Sequence, residues 1–259
     1  MKIKDKKIVY YEDELKDEFS GKKITPRIID ENYKFIHKNI FWNMSSYLWQ
    51  NILTLPIKWL YARCKFNIKY IGKEKLKEYK DTSYFIYVNH TQIFGDTFIP
   101  SIPMFPKRNY FIVNPENVSM KFIGNFVQKL GAIPIPNKIS GMEKFLDAIK
   151  DKIDKNCAIT IYPEAHIWPF NTDIRNFSNV SFKYPIEFEK PVFCITNTYK
   201  SYGRKNNKVR IVSYIDGPFL PNKELSKKAQ KNALRDEVYN CMKERAKNSN
   251  VKLVEYIKK

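Results

Sequence analysis

The sequence predicts an α/β fold, a mixed central sheet flanked by helices, preceded by an N-terminal helical segment that associates with a membrane. Three observations point there. From about residue 62 onward, short apolar runs of strand length alternate with longer stretches of helical period. Residues 40–61 are the most apolar and aromatic stretch of the chain, yet polar side chains interrupt them. With 43% hydrophobic and 15% aromatic residues among 259, the chain has enough apolar area for a full core, which excludes a disordered polymer.

The elements follow in order. The amino terminus, Met1-Lys2-Ile3-Lys4-Asp5-Lys6-Lys7, lacks the apolar stretch of a signal peptide. Residues 40–61 carry Trp42, Trp49 and Trp59, with Lys38, Lys58, Arg63 and Lys65 in or around them. A spanning helix needs about 20 predominantly apolar residues. Here Asn43, Gln50, Asn51 and Lys58 break the run, and Pro56 is expected to kink the helix or end it one turn early. Indole rings at headgroup depth, with cations against anionic lipid, suit a helix or helical hairpin lying in the interface. The expected division is a membrane-peripheral helical segment over 1–61 and an α/β domain with a C-terminal helix over 62–259.

Within that domain, residues 66–71 alternate as a half-buried strand, and 83–89 read as a strand buried on both faces. Further strands are expected at 109–113, 132–136, 158–162, 192–197 and 209–215. Helices are expected at 119–130, 141–153 and 223–247. The last places Leu234, Val238 and Met242 at i, i+4 spacing, a stripe that packs on a core.

Charge narrows the partners. Lys and Arg number 46 against 27 Asp and Glu, a formal balance of +19 that draws the chain to something anionic. Aromatic residues fall mainly in the strands and the N-terminal helix rather than interleaved with Lys and Arg on an open face. Nucleic acid is therefore not expected as a partner, and an anionic bilayer surface is. The cysteines, at 64, 157, 194 and 241, show no metal-ligand spacing, so no metal is expected and a reducing cytosolic setting is. Glycine is scarce at 8 residues. No dinucleotide fingerprint, phosphate-binding P-loop or Gly-x-Ser-x-Gly elbow occurs.

With only 3 histidines, a catalytic imidazole has few addresses. His90 falls at the end of an apolar strand, where ligands bind in open α/β sheets, and Asp96 follows near the start of the next helix. Such a histidine can take a proton from a hydroxyl while a carboxylate fixes its tautomer. Two more strand ends carry polar groups, Tyr162-Pro163-Glu164-Ala165-His166 and Pro136-Asn137-Lys138, and Phe182-Lys183 followed by Lys190-Pro191 puts a lysine ahead of a strand opened by proline.

In order and spacing these segments resemble the glycerolipid acyltransferases of the lysophosphatidate acyltransferase family, over about residues 66–218. That family is marked by Asn-His-x4-Asp, Gly-x-Ile-Phe-Ile-Asp-Arg, Phe-Pro-Glu-Gly-Thr-Arg-Ser and Pro-Ile-Val-Pro-Val. Three departures stand out. Five residues rather than four separate His90 from Asp96, and Gly95 holds the expected aspartate position. Asn137, with Lys138 beside it, stands where the first motif arginine would be. The second arginine is missing from Glu164-Ala165-His166-Ile167.

The resemblance implies acyl transfer from acyl-CoA or acyl carrier protein, as co-substrate, to the hydroxyl of a lyso-glycerolipid such as 1-acylglycerol-3-phosphate, with no cofactor. The missing arginines also leave room for another lyso-phospholipid or a glycolipid as acceptor, or for an inactive lipid-binding relative. His90 would be the general base and Asp96 its orienter, while Thr91 or main-chain amides after His90 would meet the thioester oxyanion. Lys138 and Lys183, with Asn137, would meet phosphate. Glu164 would hold the acceptor or shape its turn, and His166 would contact substrate or serve that turn. The implied location is the cytoplasmic face of the cell membrane, peripheral or monotopic.

Overall fold

The computed structural model describes residues 6–21, 24–120, 123–205 and 207–259; the Lys2–Asp5 part of the basic amino terminus lies outside them. Nine strands are described: β1 (Lys7–Tyr11), β2 (Lys69–Ile71), β3 (Tyr84–Val88), β4 (Asn109–Val113), β5 (Ala132–Pro134), β6 (Ala158–Ile161), β7 (Val192–Tyr202), β8 (Lys208–Phe219) and β9 (Val254–Lys258). Seven form one mixed sheet in the order β2-β8-β7-β3-β6-β4-β5. Only β7 and β8 pair antiparallel; the other neighbours are parallel. The carboxyl ends of β3, β4, β5, β6 and β7 therefore share one edge, and β3 and β6 lie side by side there.

Helices cover both faces, as a parallel sheet requires. They are α1 (Ile40–Leu48), α2 (Thr54–Leu60), α3 (Gly95–Phe98), α4 (Ser101–Met104), α5 (Glu116–Ser119), α6 (Gly124–Lys129), α7 (Met142–Asp154), α8 (Lys183–Glu187) and α9 (Lys227–Ala246). The stripe of Leu234, Val238 and Met242 on α9 is fully buried in the main core with Phe85, Tyr87 and Ile159. The expected helix over 119–130 is instead two short ones, α5 and α6. Gly124 lies so close to the Val118 carbonyl that a Cβ would stand 2.1 Å from it.

The amino-terminal segment departs from the expected helical unit of 1–61. Helix begins only at Ile40, capped by the Asn39 side chain, which accepts from the N–H groups of Phe41 and Trp42. Before it, β1 pairs in parallel with β9, and an extended strap follows whose Ile29 and Phe35 enter the main core. The β-branched and aromatic run from Ile8 to Tyr11 favours a strand, but its partner lies at Val254–Lys258, beyond any local pattern.

From Ile40 to Lys65 the helix runs on through π-helical turns at Trp49–Leu53 and Tyr61–Lys65. Pro56 neither ends nor breaks it. Side chains add to the first π-turn: Thr54 Oγ1 donates to the Trp49 oxygen at 2.7 Å, beside the Thr54 N–H, and Lys58 Nζ to the Gln50 oxygen at 2.9 Å. Burial holds the Lys58 ammonium down to about 8.

This helix faces the wrong way round for water. Its buried side is polar: Ser46 and Gln50 donate to the Lys129 carbonyl and accept from Arg108, and Asn51 donates to the Pro106 carbonyl. Its outer side is apolar, with Phe41 76% and Trp59 59% exposed while Gln50 is 3% exposed. Among the described residues no helix is long and apolar enough to cross a membrane.

Candidate active site

The site is built at the shared strand edge. Asn89, buried at the end of β3, donates from Nδ2 to the Asn197 carbonyl and accepts the Asn197 N–H, tying β3 to β7. That clamp fixes where the next side chain, His90, leaves the sheet. Its Nδ1 lies 2.6 Å from Asp96 Oδ2 in the first turn of α3, so the five-residue spacing closes into a His–Asp pair. Gly95 does this through space rather than unusual dihedrals. A Cβ there would stand 2.9 Å from Gln92 Cβ and 3.2 Å from both Tyr61 and Ile99.

The pair is held from several sides. The Gln92 N–H donates to Asp96 Oδ2 at 2.9 Å, and the Thr91 amide also favours the carboxylate. Tyr162 stacks on the imidazole at 4.4 Å and its hydroxyl donates to the Asp96 carbonyl. Burial pushes the Asp96 carboxyl up from its usual range, against the pull of the His90 bond and these amides. An ionised carboxylate only accepts, so it selects the tautomer with the proton on Nδ1 and leaves Nε2 as the basic nitrogen. The His90 side chain is 23% exposed.

Glu164 is buried and faces the protein. Its Oε2 accepts the His90 N–H at 3.0 Å, and its Oε1 accepts the Arg175 N–H at the same distance. The Arg175 guanidinium reaches Glu164 Oε2 at 3.4 Å, donates to the His166 carbonyl, and lies 4.7 Å over the Trp168 ring. The Trp168 N–H donates back to the His90 carbonyl at 3.1 Å. Glu164 thus shapes the turn and grips the backbone of His90 rather than reaching outward. Arg175 is buried and completes the grip, though no motif singles it out. Ala165, where the family motif has glycine, is left-handed at φ 61°.

The remaining expected residues divide. Thr91 is buried, with Oγ1 accepting from the Tyr199 hydroxyl at 2.9 Å, and the Gln92 amide is spent on Asp96, so these two groups face inward. Asn137 is tied to the strap, accepting the Ile29 N–H and donating to the Arg27 carbonyl. Lys138 is exposed beyond β5, three strand spacings or ~14 Å from β3. His166 is a turn residue: its N–H donates to the Glu164 carbonyl at 2.7 Å, and its ring lies 3.7 Å from the Glu18 carboxylate.

The structure does not gather Lys183 with them. It lines a cleft with Lys227, Lys228 and Lys231 beside the start of α9. That helix follows β8, whose end pairs with Val192 at the opposite edge of the sheet.

Among the described residues one cluster could present metal ligands: Cys194, Asp216 and Cys241, with ligand atoms within 4.8 Å. It does not suit a cation. Both Asp216 oxygens are already engaged, by Arg245 at 2.7 and 2.8 Å and by Lys75 at 3.0 Å.

A mixed sheet with a His–Asp pair at its carboxyl edge, braced by a Glu on the neighbouring strand's turn, places the chain among α/β proteins. The acyltransferase family model matches residues 67–197, and the chain belongs to that family. In fold it is similar to the 1-acyl-sn-glycerophosphate acyltransferase PlsC of Thermotoga maritima. The two are 14% identical, with 83% of this chain and 98% of that one covered and a TM-score of 0.53. Among curated proteins nothing matches the chain.

Proposed function

We propose that the protein transfers a fatty acyl group from acyl-CoA or acyl carrier protein to the hydroxyl of a lyso-glycerolipid, with 1-acylglycerol-3-phosphate as the first acceptor to test. The observation that carries this is the His90–Asp96 pair, with Nε2 left basic at the strand edge of an acyltransferase-family chain. Nε2 takes the acceptor's proton as its oxygen attacks the thioester carbonyl. The C–O bond forms, the tetrahedral intermediate collapses, the C–S bond breaks, and the proton passes from Nε2 to the leaving sulfur. Asp96 stabilises the imidazolium between these steps. Lys138 is the exposed cation nearest the motif arginine's position, and as a single point charge it grips phosphate less firmly than a forked guanidinium. A lyso-phospholipid with a larger headgroup is therefore the second acceptor to test.

The inverted helix supports work at a membrane surface. Its outer face exposes Phe41, Met44, Ile57 and Trp59, Ile93 and Phe94 after His90 are exposed as well, and the +19 charge attracts anionic lipid. Peripheral attachment at the cytoplasmic face follows as part of the proposal.

The test is thiol release from acyl-CoA and from acyl carrier protein with a panel of lyso-lipids, comparing wild type with His90→Ala. Acceptor-dependent release lost in the variant supports the reading. Equal release from both proteins removes His90 from the chemistry, and no release with any donor–acceptor pair favours a lipid-binding relative.

A further inference from the structure

The strap before α1 walls a cleft of about 420 Å³ against α1 and α6, away from His90. Arg27, Tyr33 and His37 line it; the Tyr33 hydroxyl meets the Arg27 side chain and His37 meets the Gln128 side chain, while Arg27 Nε is buried without a hydrogen-bond partner. An unsatisfied buried donor is costly, and one in the wall of a cleft rich in cations marks a place where a ligand's acceptor belongs. The Arg27 guanidinium lies 4.7 Å over the Tyr33 ring. His37 stacks flat on Trp42 at 3.8 Å. Gln128, beside them, donates to the Lys34 carbonyl at 2.7 Å and also meets His37.

The charge favours an anion. Arg27 and Lys34 line the cleft, and Lys129 lies 4.8 Å over the outer ring of the stack, while Asp30 is the opposing carboxylate. Asp30 Oδ1 is occupied by the Asn32 N–H at 2.9 Å. Burial and the nearby lysines hold the His37 imidazole below its ordinary value, so it can donate without adding a second buried charge. The cleft opens beside the exposed Ile40 and Phe41 at the start of the outward apolar face.

We propose that this cleft is an anion site, separate from the acceptor site at His90, that takes the phosphate headgroup of a membrane lipid as the apolar start of α1 enters the bilayer. It rests on the membrane reading of that helix, while its ligand chemistry, a phosphoryl group among Arg27, His37 and Lys34, stands independently of catalysis. The main-chain groups of Arg27 hold the strap through Ser119 and Asn137, so its side chain can be changed without cutting the strap loose.

The full chain would be titrated with inorganic phosphate and glycerol 3-phosphate while the ring signals of His37 are followed by NMR. Vesicles of phosphatidylcholine, with and without phosphatidic acid, would then be added as competitors. The expected result is a shift of the His37 signals by both soluble probes and their displacement only by vesicles that contain phosphatidic acid. Arg27→Gln should weaken phosphate binding about tenfold, and Lys34→Gln, at an exposed position, less. Thermal melts confirm that both variants fold. No shift with either probe, or unchanged affinity in a folded Arg27→Gln, overturns the site. Binding of soluble phosphate that phosphatidic acid vesicles do not displace overturns the lipid as its source. The His90→Ala protein should keep the full NMR response, so failure of the acyl-transfer reading is scored separately from failure of this one.

Discussion

At the scale of single residues, the site depends on a carboxylate that must stay ionised while buried. Asp96 has only the His90 imidazole and main-chain amides to offset its desolvation, and Oδ1 has no partner at all. Asp96→Asn should keep the fold but allow the wrong histidine tautomer, with a loss of acyl transfer on the order of 10³–10⁴. Steady-state rates alongside a melting curve separate this from unfolding. Ala165 makes the opposite case. A left-handed alanine costs roughly 1–2 kcal/mol, partly regained by the entropy a glycine would lose, so Ala165→Gly should raise stability by up to about 1 kcal/mol in denaturant melts. The imidazole and its aspartate were legible because a strand end followed by a helix start puts them within reach. Arg175 was not legible. It returns to Glu164 across an irregular eleven-residue loop, and irregular backbone leaves no period to read.

At the scale of elements, the sheet was readable wherever a strand is buried on both faces. β4 begins and ends where its apolar run does, and β3 and β6 differ from expectation only at their termini. β1 and β9 were not, because each is half-exposed and the partner lies at the other end of the chain. The helix over 40–65 was legible as amphipathic and aromatic, but its π-turns and the side-chain bonds to carbonyls five and eight residues back fall outside the 3.6-residue period. Its polar side faces the protein, so charges on the outer face should leave the fold intact. A Phe41→Asp, Ile57→Asp double variant should lose sedimentation with anionic vesicles. It should retain acyl transfer to a short-chain acceptor below its micellar limit. Undiminished vesicle binding would assign the outer face another partner.

At the scale of the whole molecule, both ends of the described chain converge on the loop behind the Glu164–His166 turn. Tyr11 of β1, Phe19 of the strap and Tyr256 of β9 surround Trp168 at centroid distances of 4.7, 5.4 and 4.6 Å, and Arg175 covers its ring at 4.7 Å. The indole N–H donates to the Asp17 carbonyl at 2.8 Å. Trp168→Ala should therefore cost about 3–5 kcal/mol and lower the rate beyond the fraction unfolded, because Arg175 and Glu164 lose their support together. A second long-range tie is electrostatic. Asp216 on β8 meets Arg245 from α9 and Lys75 from the turn after β2. Burial pushes its carboxyl up, but these two cations outweigh that and hold it below the usual carboxylate range. A carboxyl depressed in the folded state stabilises above its unfolded pKa of about 3.9, and that contribution is lost as pH falls through the folded value. Asp216→Asn should therefore cost about 1–2 kcal/mol at neutral pH, a modest figure because both cations keep contact with solvent. Melting temperatures of the two proteins between pH 7 and pH 3 should converge as the pH drops. A gap that stayed constant down to pH 3 would mean that the aspartate acts through shape rather than charge.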